Sequence, residues 1–490
     1  DVLARFNRAD GRDVRFLTGT DEHGIKIVKA AAEKDVTPQQ LADQVVVGFE
    51  DLWRELNITH DDFIRTTEPR HEQRVQAIVQ KLVDRDDIYL GEYAGWYDEG
   101  QEEYVTESTA RENEYNSEIS GKPLTRYSES SWFFRLSKWV PKLIEYIEAN
   151  PEFIRPQSRH NEVLSKLKLG VEDLSISRQR EKLGDWGIPM PNDPTHSVYV
   201  WIDALSNYMT SLGWPEIEDG RDGEAMGYWP ASVHLIGKDI LWFHAVYWPC
   251  LLMAMGQELP KCIFAHGWWT SEGKKMSKSL GNFVSRDVIR EICDDYSRDV
   301  YRYVLLRLMA FGADGDFSHD ALQGRYNTEL ANGVGNLLSR TIKMISKYFD
   351  GQVPAVDAQV DLAGAVVASA KSLATAARPA MDDCAFHTYL DGVMDLVDAT
   401  NKFIELTEPF KLAKDASRKD ELATILYTCA EAVRIILLML EPVMPEASAQ
   451  GLSMLGWDRP EGALTELAAW GRIVPGTSVT PTEPLFPRKK

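Results

Sequence analysis

Gly273-Lys274-Lys275-Met276-Ser277-Lys278-Ser279-Leu280-Gly281-Asn282 joins a strand-like run, Cys262-Ile263-Phe264-Ala265-His266-Gly267, to a helix-like run that begins at Ser285. Glycines bracket three lysines and two serines in these ten residues, so the backbone can bend and few side chains obstruct it. Ammonium groups and hydroxyls are thereby offered to a multiply charged anion, and a phosphate chain is the natural guest. A solvated basic loop is the ordinary explanation for such a composition. The order Lys-Met-Ser-Lys-Ser is more specific than that.

Upstream of the loop, strand and helix patterns alternate. Val14–Thr18 reads as a buried strand stopping at Gly19, and Asp62–Thr67 as a second; Thr37-Pro38 suits a helix start for Gln39–Leu56, and another helix is expected over Pro69–Asp84. From Tyr89 to Asn161 the pattern changes to aromatic, acidic, turn-rich segments, which suggests a small antiparallel insertion closed by a helix over Leu136–Ala149. Alternation then resumes, with strands expected at Val198–Ile202, Val233–Gly237 and Ile263–Ala265. Beyond Ser285 strands are hard to find: Val300, Tyr303, Val304 and Leu308 share a helical face, as do Leu422, Ile425, Leu426, Cys429, Val433, Ile436, Leu437 and Leu440. Asn332–Tyr348 and Tyr389–Leu406 look alike, and the tail from Val474 is too rich in Pro and Thr for a core. The fold expected is an α/β doubly wound parallel, Rossmann-like domain split by a small connective insertion and followed by an all-α helical bundle.

At 490 residues the chain has room for two to four domains. A net charge of −21 argues against wholesale coating by nucleic acid, though a local basic strip can still bind phosphates. Five scattered cysteines with no Cys-x-x-Cys pair argue against a disulfide framework and suit a reducing cytoplasm. No continuous apolar run reaches the roughly 18 residues a membrane span needs; the longest, Ile435–Leu440, ends at Glu441-Pro442. The chain opens at Asp1, without an initiator methionine, in what reads as mid-helix.

Three further patches can carry chemistry. Asp21-Glu22-His23 follows a strand at the edge where open parallel sheets place ligands, so a carboxylate there could hold a substrate ammonium; loop solvation or a helix cap would explain it equally. Trp201, Ala204, Leu205 and Tyr208 could form one lining of an apolar pocket, or merely the start of a core helix. Gly237-Lys238-Asp239 suits a nucleotide contact, and Ile240, His244 and Trp248 then recur every fourth residue on one helix face. A lone histidine there is usually a satisfied core residue, yet beside aromatic rings it can line a pocket for a thioether. His266 and Gly267 end the strand before the lysine loop, and Trp268-Trp269 could lie along a purine.

Taken in order, seven strings carry a resemblance to one family over nearly the whole chain: residues 16–24, 175–178, 185–188, 199–205, 237–240, 275–279 and 335–340. The chain resembles the methionyl-tRNA synthetases, which are class I aminoacyl-tRNA synthetases. That resemblance implies ATP-dependent activation of L-methionine and transfer to the 3′ end of tRNA(Met), with Mg2+ sharing the phosphate charge. It implies that Asp21 holds the ammonium of methionine, and that Trp201, Ala204, Leu205, Tyr208, Ile240, His244 and Trp248 hold its side chain. Lys238, Asp239, His266, Gly267 and Trp269 would contact ATP, and Lys275 and Lys278 would steady its phosphates as the catalytic pair. Asn336, Arg340 and Pro409 match anticodon-reading positions, while Phe410 stands where a tryptophan is common and leaves a smaller stacking platform. The implied divisions are 1–88 and 162–284 for the catalytic domain, 89–161 for the connective insertion, 285–330 for a stem-contact linker, 331–473 for the anticodon-binding domain and 474–490 for a tail. A cytoplasmic monomer with no membrane association is expected.

Two departures stand out. The insertion 89–161 has no cysteine, so no zinc is expected there. No two of the ten histidines lie three apart, so His-x-Gly-His is absent, and the first strand with that signature is expected upstream of Asp1. The competing explanations are a catalytically impaired, synthetase-like tRNA-binding protein and a neighbouring class I synthetase. An intact lysine loop and pocket speak against the first. The leucine, isoleucine and valine enzymes carry a longer insertion, and the cysteine enzyme needs a zinc site. Without the paired histidines this chain is expected to bind methionine yet adenylate it poorly. ATP–pyrophosphate exchange measures this, and a rate equal to that of complete relatives would refute it.

Overall fold

Parallel strands whose carboxyl ends carry polar loops set the frame for everything that follows. The structure is a computed structural model that describes residues 1–490 apart from 102, 106, 184, 216–223, 272–273, 277–283, 482 and 490; at 93, 94, 103, 104, 108, 127–129, 182, 183, 224, 225, 274 and 275 it describes the backbone alone. The chain divides into two units, one of Arg15–Asp51 with His60–His266, the other of Asp1–Val14, Leu52–Thr59 and Gly267–Lys490.

In the first unit, β1 (Leu17–Thr20) pairs in parallel with β2 (Asp62–Arg65), residue for residue from Leu17↔Asp62 to Thr20↔Arg65. The strands approach so closely at Gly19 that a Cβ there would lie 2.0 Å from the Ile64 carbonyl oxygen, so no side chain fits. Thr37 and Gln40 bond each other's backbone N–H at 3.1 and 3.0 Å, a reciprocal capping box that starts the helix Pro38–Glu55. The insertion is antiparallel as expected: β3 (Ile88–Asp98) runs between β4 (Glu103–Val105) and β5 (Thr125–Phe134). Tyr89 and Phe133 are cross-strand partners with stacked rings 5.7 Å apart, the kind of pair that sets register.

After the helix Leu136–Ala149 come β6 (Ile154–Arg155), β7 (Leu174–Ser175), β8 (Ser177–Gln179), β9 (Pro189–Met190) and β10 (Asp193–Val198). β7 extends the insertion sheet beside β5, and β10 lies between β8 and β9. β11 (His234–Gly237) and β12 (Ile263–His266) complete a parallel three-stranded sheet, β11-β12-β6. The expected strand at Val198–Ile202 is only half right. Tyr199 is extended, and a helix begins at Val200 and runs to Thr210. Five consecutive apolar residues suit either period, and the burial of Ile202, Leu205 and Met209 shows the helical spacing won.

The second unit is mainly helical but contains a small sheet that the sequence patterns did not reveal. β13 (Trp269–Ser271) pairs with β14 (Lys274–Lys275) in antiparallel and with β15 (Gly315–Phe317) in parallel. β15 is three residues long within Gly-Ala-Asp-Gly-Asp-Phe, too short and polar to announce itself. The helix Lys419–Leu440 is buried from Leu422 to Leu440 on every side, not along one face as its spacing suggested. It has the length and composition of a membrane span, yet its most apolar window is 100% buried. The tail is also less peripheral than its composition implied: Val479 and Phe486 are buried, and Val479 N–H donates to Gly351.

A buried ion pair pins that central helix. Glu431 and Arg434 are both 0% exposed and bonded at 2.5 and 3.0 Å. Glu431 also accepts from the N–H groups of Gly471, Arg472 and Ile473, while Arg434 donates to the carbonyls of Leu467 and Ala469. Removing one partner strands the other's charge out of water, so Glu431→Ala should cost about 3–5 kcal/mol, measured as a shift in the urea midpoint of this unit. A shift no larger than an exposed Glu→Ala control would contradict it.

Candidate functional site

The loop after β1 sorts its three polar residues sharply. Glu22 is 3% exposed, and its carboxylate accepts from Arg65 Nε and Nη2 at 2.8 and 3.0 Å and from Thr20 and Thr67 hydroxyls at 2.5 Å each. Its N–H donates to Thr66 Oγ1, and its carbonyl accepts from the Trp186 indole at 2.9 Å. His23 Nδ1 donates to Asp203 Oδ2 at 2.6 Å, with the ring edge-on to Trp186. Asp21 is exposed. The helix Ile25–Glu33 is entered through Gly24 with no side-chain cap, so the triplet is not a helix cap. Asp21 is therefore the carboxylate of this loop that a ligand can reach.

Asp203 lies opposite, 1% exposed, and its second oxygen accepts from His71 Nε2 at 2.6 Å; His71 Nδ1 meets the Thr210 hydroxyl at 2.7 Å. Burial would raise the Asp203 carboxyl, but hydrogen bonds and charge from His23 and His71 outweigh it and hold it below its ordinary range. Burial would lower His23 in turn, and the bond to Asp203 with the charges of Asp203, Glu72 and Asp21 raises it instead. Both shifts favour the ion-paired form of His23 and Asp203, held out of water.

Asp203 belongs to the helix Val200–Thr210, whose other positions line an aromatic cluster with a short turn, Lys238–Ile240, and a π-helical turn, Phe243–Tyr247. Tyr208 Oη lies 2.8 Å from His244 Nε2, and His244 Nδ1 lies 3.0 Å from the Ile240 carbonyl. A carbonyl can only accept, so Nδ1 carries the proton and the Tyr208 hydroxyl donates to Nε2. Burial drives His244 down to about 4, partly opposed by that Ile240 bond, and raises Tyr208. His234, on β11, is pushed down to about 3 by burial and by His244, and accepts from the Trp248 indole at 3.2 Å. Trp201 stacks on Phe243 with centroids 3.7 Å apart, and Ala204 and Leu205 are buried beside them. The cluster is uncharged near neutral pH and rich in polarisable rings, the chemistry a thioether prefers.

The sequence-predicted residues Trp201, Ala204, Leu205, Tyr208, Ile240, His244 and Trp248 thus belong to one unit with Asp21. Phe243 and His234 were missed. A π turn holds one residue more than an α turn, so the every-fourth spacing passes over Phe243. His234 left only the signal of an imidazole inside an apolar strand. His71 lay outside every motif.

At the sheet edge, Gly237 and His266 are register partners at the ends of β11 and β12, and Lys238 and Asp239 turn away directly after. A Cβ on Gly237 would meet Asp239 Oδ1 at 2.5 Å. In the other unit, Gly267 packs against the Ala313–Asp314 backbone, and Trp268 N–H donates to Asp314 at 2.8 Å. Trp269 opens β13 and is half-buried; Lys275 sits on β14 opposite Thr270. Lys278 lies outside the described residues. Farther along, Asn336 is exposed and Arg340 half-buried on the helix Asn336–Tyr348. Burial pushes the Cys429 thiol up to about 12 against the pull of the Arg340 charge, which places Arg340 beside the central helix. Pro409 is buried at the first position of the short helix Pro409–Leu412, and Phe410 beside it is 48% exposed.

Comparison with known proteins finds relatives along the whole chain. Residues 1–342 match the family model described as tRNA synthetases class I (M). The chain is 45% identical to the methionine–tRNA ligase of Caldanaerobacter subterraneus subsp. tengcongensis, spanning 100% of this chain and 75% of that protein. It is 43% identical to the methionine–tRNA ligase of Halalkalibacterium halodurans, spanning 100% of this chain and 74% of that protein. Among solved structures, Mycobacterium tuberculosis methionyl-tRNA synthetase bound by methionyl-adenylate superposes with a TM-score of 0.91 at 39% identity, over 99% of this chain and 94% of that one.

The two lowered histidines set a pH dependence. Unfolded, each takes a proton near 6.5; folded, they resist until about 4 and about 3. Unfolding therefore takes up protons below 6.5, and stability is lost as pH falls through that window. The tryptophan-fluorescence urea midpoint should drop from pH 7 to pH 5, and His234→Gln should flatten the slope by about one proton. Identical slopes in both proteins would contradict this.

Proposed function

The chain belongs to the methionyl-tRNA synthetases, class I aminoacyl-tRNA synthetases that use ATP to join methionine to tRNA, and from that premise we propose how its residues share the two half-reactions. The observation that carries the proposal is the neutral aromatic cluster of Trp201, Phe243, Tyr208, His244 and Trp248, in the same unit as an exposed Asp21. Asp21 takes the α-ammonium of methionine, and the cluster takes the thioether side chain. Because the His244 proton is committed to Ile240, the pocket offers the sulfur rings and a neutral imidazole rather than a charge.

Activation needs no nucleophilic side chain. A methionine carboxylate oxygen attacks the α-phosphorus of ATP, the bond to the β-phosphate oxygen breaks, and pyrophosphate leaves. Lys238, Asp239 and His266 at the ends of β11 and β12, with Gly267 and Trp269, hold the nucleotide. Lys275 and Lys278 neutralise charge on the departing pyrophosphate, an electrostatic contribution that costs no reorganisation when preplaced. Mg2+ would accompany the triphosphate; among the described residues no group of three His, Cys, Asp or Glu offers a protein cage. In the second step a ribose hydroxyl at the 3′ end of tRNA(Met) attacks the activated carbonyl and AMP leaves. Asn336, Arg340 and Phe410 read the anticodon, with Pro409 setting the angle of Phe410. The site of action is the cytoplasm, consistent with five free cysteines, and the working form is a monomer.

Asp21→Ala should weaken methionine binding by about 1.5–3 kcal/mol, the worth of a charge-assisted bond. In the parent chain, methionine at 100 times its Kd should stabilise by about 2.7 kcal/mol, read as a rise in Tm that leucine at equal concentration does not match. Methionine should also change the fluorescence of Trp201 and Trp248. No rise in Tm with methionine, or an equal rise with leucine, would remove the proposal.

A further inference from the structure

The two imidazoles on Asp203 come from different places. His23 stands on the loop after β1, two residues from Asp21, and His71 on the helix Pro69–Asp84. Asp203 sits in the helix that presents Trp201, Ala204, Leu205 and Tyr208, and His71 grips the same helix again at Thr210. On the loop side, Glu22 is locked to β2 by Arg65, Thr66 and Thr67, and Trp186 ties down its carbonyl. The loop bearing Asp21 and the helix bearing the pocket therefore share one buried reference point.

Stability alone does not call for this arrangement. Asp203, His23 and His71, all buried, could be replaced together by well-packed apolar groups at little cost, because desolvation cancels much of the attraction within a buried charged cluster. What an apolar group cannot do is fix two elements at a directional, bonded distance. We propose that His23, acting through Asp203, is a positioning residue for amino-acid activation: it sets the separation between the Asp21 carboxylate and the side-chain pocket, and so governs affinity for the ammonium rather than for the side chain. This rests on Asp21 being the ammonium contact.

The test compares methionine with 4-(methylthio)butanoate, which keeps the thioether chain and the carboxylate and lacks the amine. Dissociation constants for both are measured on the full chain and on Asp21→Ala, His23→Ala, His23→Asn and His23→Gln. An asparagine amide reaches the place of Nδ1 and can donate to Asp203; a glutamine amide reaches the place of Nε2 and cannot. Displacement of a charged contact by even 1 Å is expensive, so His23→Ala and His23→Gln should each lose about tenfold or more for methionine and under about twofold for the amine-free compound. His23→Asn should recover most of the loss. If His23→Ala fails to fold, judged by near-UV circular dichroism, the contrast between the asparagine and glutamine variants decides. Equal losses for the two ligands, no loss for methionine, or no recovery in His23→Asn would overturn the positioning role. If Asp21→Ala shows no amine-specific loss, or the parent chain binds neither ligand, the assignment of Asp21 itself fails instead.

Discussion

A carboxylate wholly removed from water stays ionised only where donors meet it on both oxygens. Asp203 satisfies that condition with His23 and His71 at 2.6 Å each, and much of its unit is arranged to supply those donors. β1 and β2 must lie side by side for Arg65 and the threonines to consume Glu22, which leaves Asp21 as the exposed carboxylate of the loop. The helix Pro69–Asp84 must pack its His71 face inward, where that residue is 0% exposed. An exposed carboxylate next to a buried, saturated one is the outcome of that packing.

The aromatic cluster obeys the complementary constraint. It excludes charge by burial, and each polar atom that its geometry assigns has a partner of the right kind: Tyr208 donates to His244, His244 to Ile240, and Trp248 to His234. The π turn at Phe243–Tyr247 makes this possible by rotating Phe243 onto Trp201 while His244 still reaches Tyr208. Such turns sit at functional sites because they trade helix regularity for a side chain aimed where an α turn would not put it.

These constraints explain what was legible in the sequence. The strands and helices of the doubly wound part were visible because period and caps agree locally, as at Thr37-Pro38, and the helix Pro69–Asp84 was bounded correctly by its proline and its polar end. The site strings were visible because the chemistry needs rare residue combinations. What stayed hidden was whatever depends on distant partners. Val200–Ile202 looked like a strand because an apolar run carries two periods at once. Glu22 and Asp21 were indistinguishable until Arg65 took one of them. His71 had no motif around it, since its role is defined by a residue 132 positions away. The all-round burial of the helix Lys419–Leu440 likewise follows from the helices packed on it, not from its own pattern.

The joining of loop to pocket also bears on selectivity. A hydrophobic cavity that differs by one methylene discriminates by only about 1–3 kcal/mol, and a branched chain such as leucine's has similar bulk to methionine's. Shape alone is then a weak filter. If Asp21 and the aromatic cluster were free to move independently, a wrong side chain could settle and still keep its ammonium bond. In the binding mode proposed above, the two contacts are held at one separation through Asp203 and must be satisfied together, so a chain that seats badly among Trp201, Tyr208 and Trp248 would also pull its ammonium away from Asp21. On that proposal a small misfit in an apolar pocket becomes the loss of a charged contact, and the directional bonds of Asp203 to His23 and His71 supply the rigidity the conversion needs.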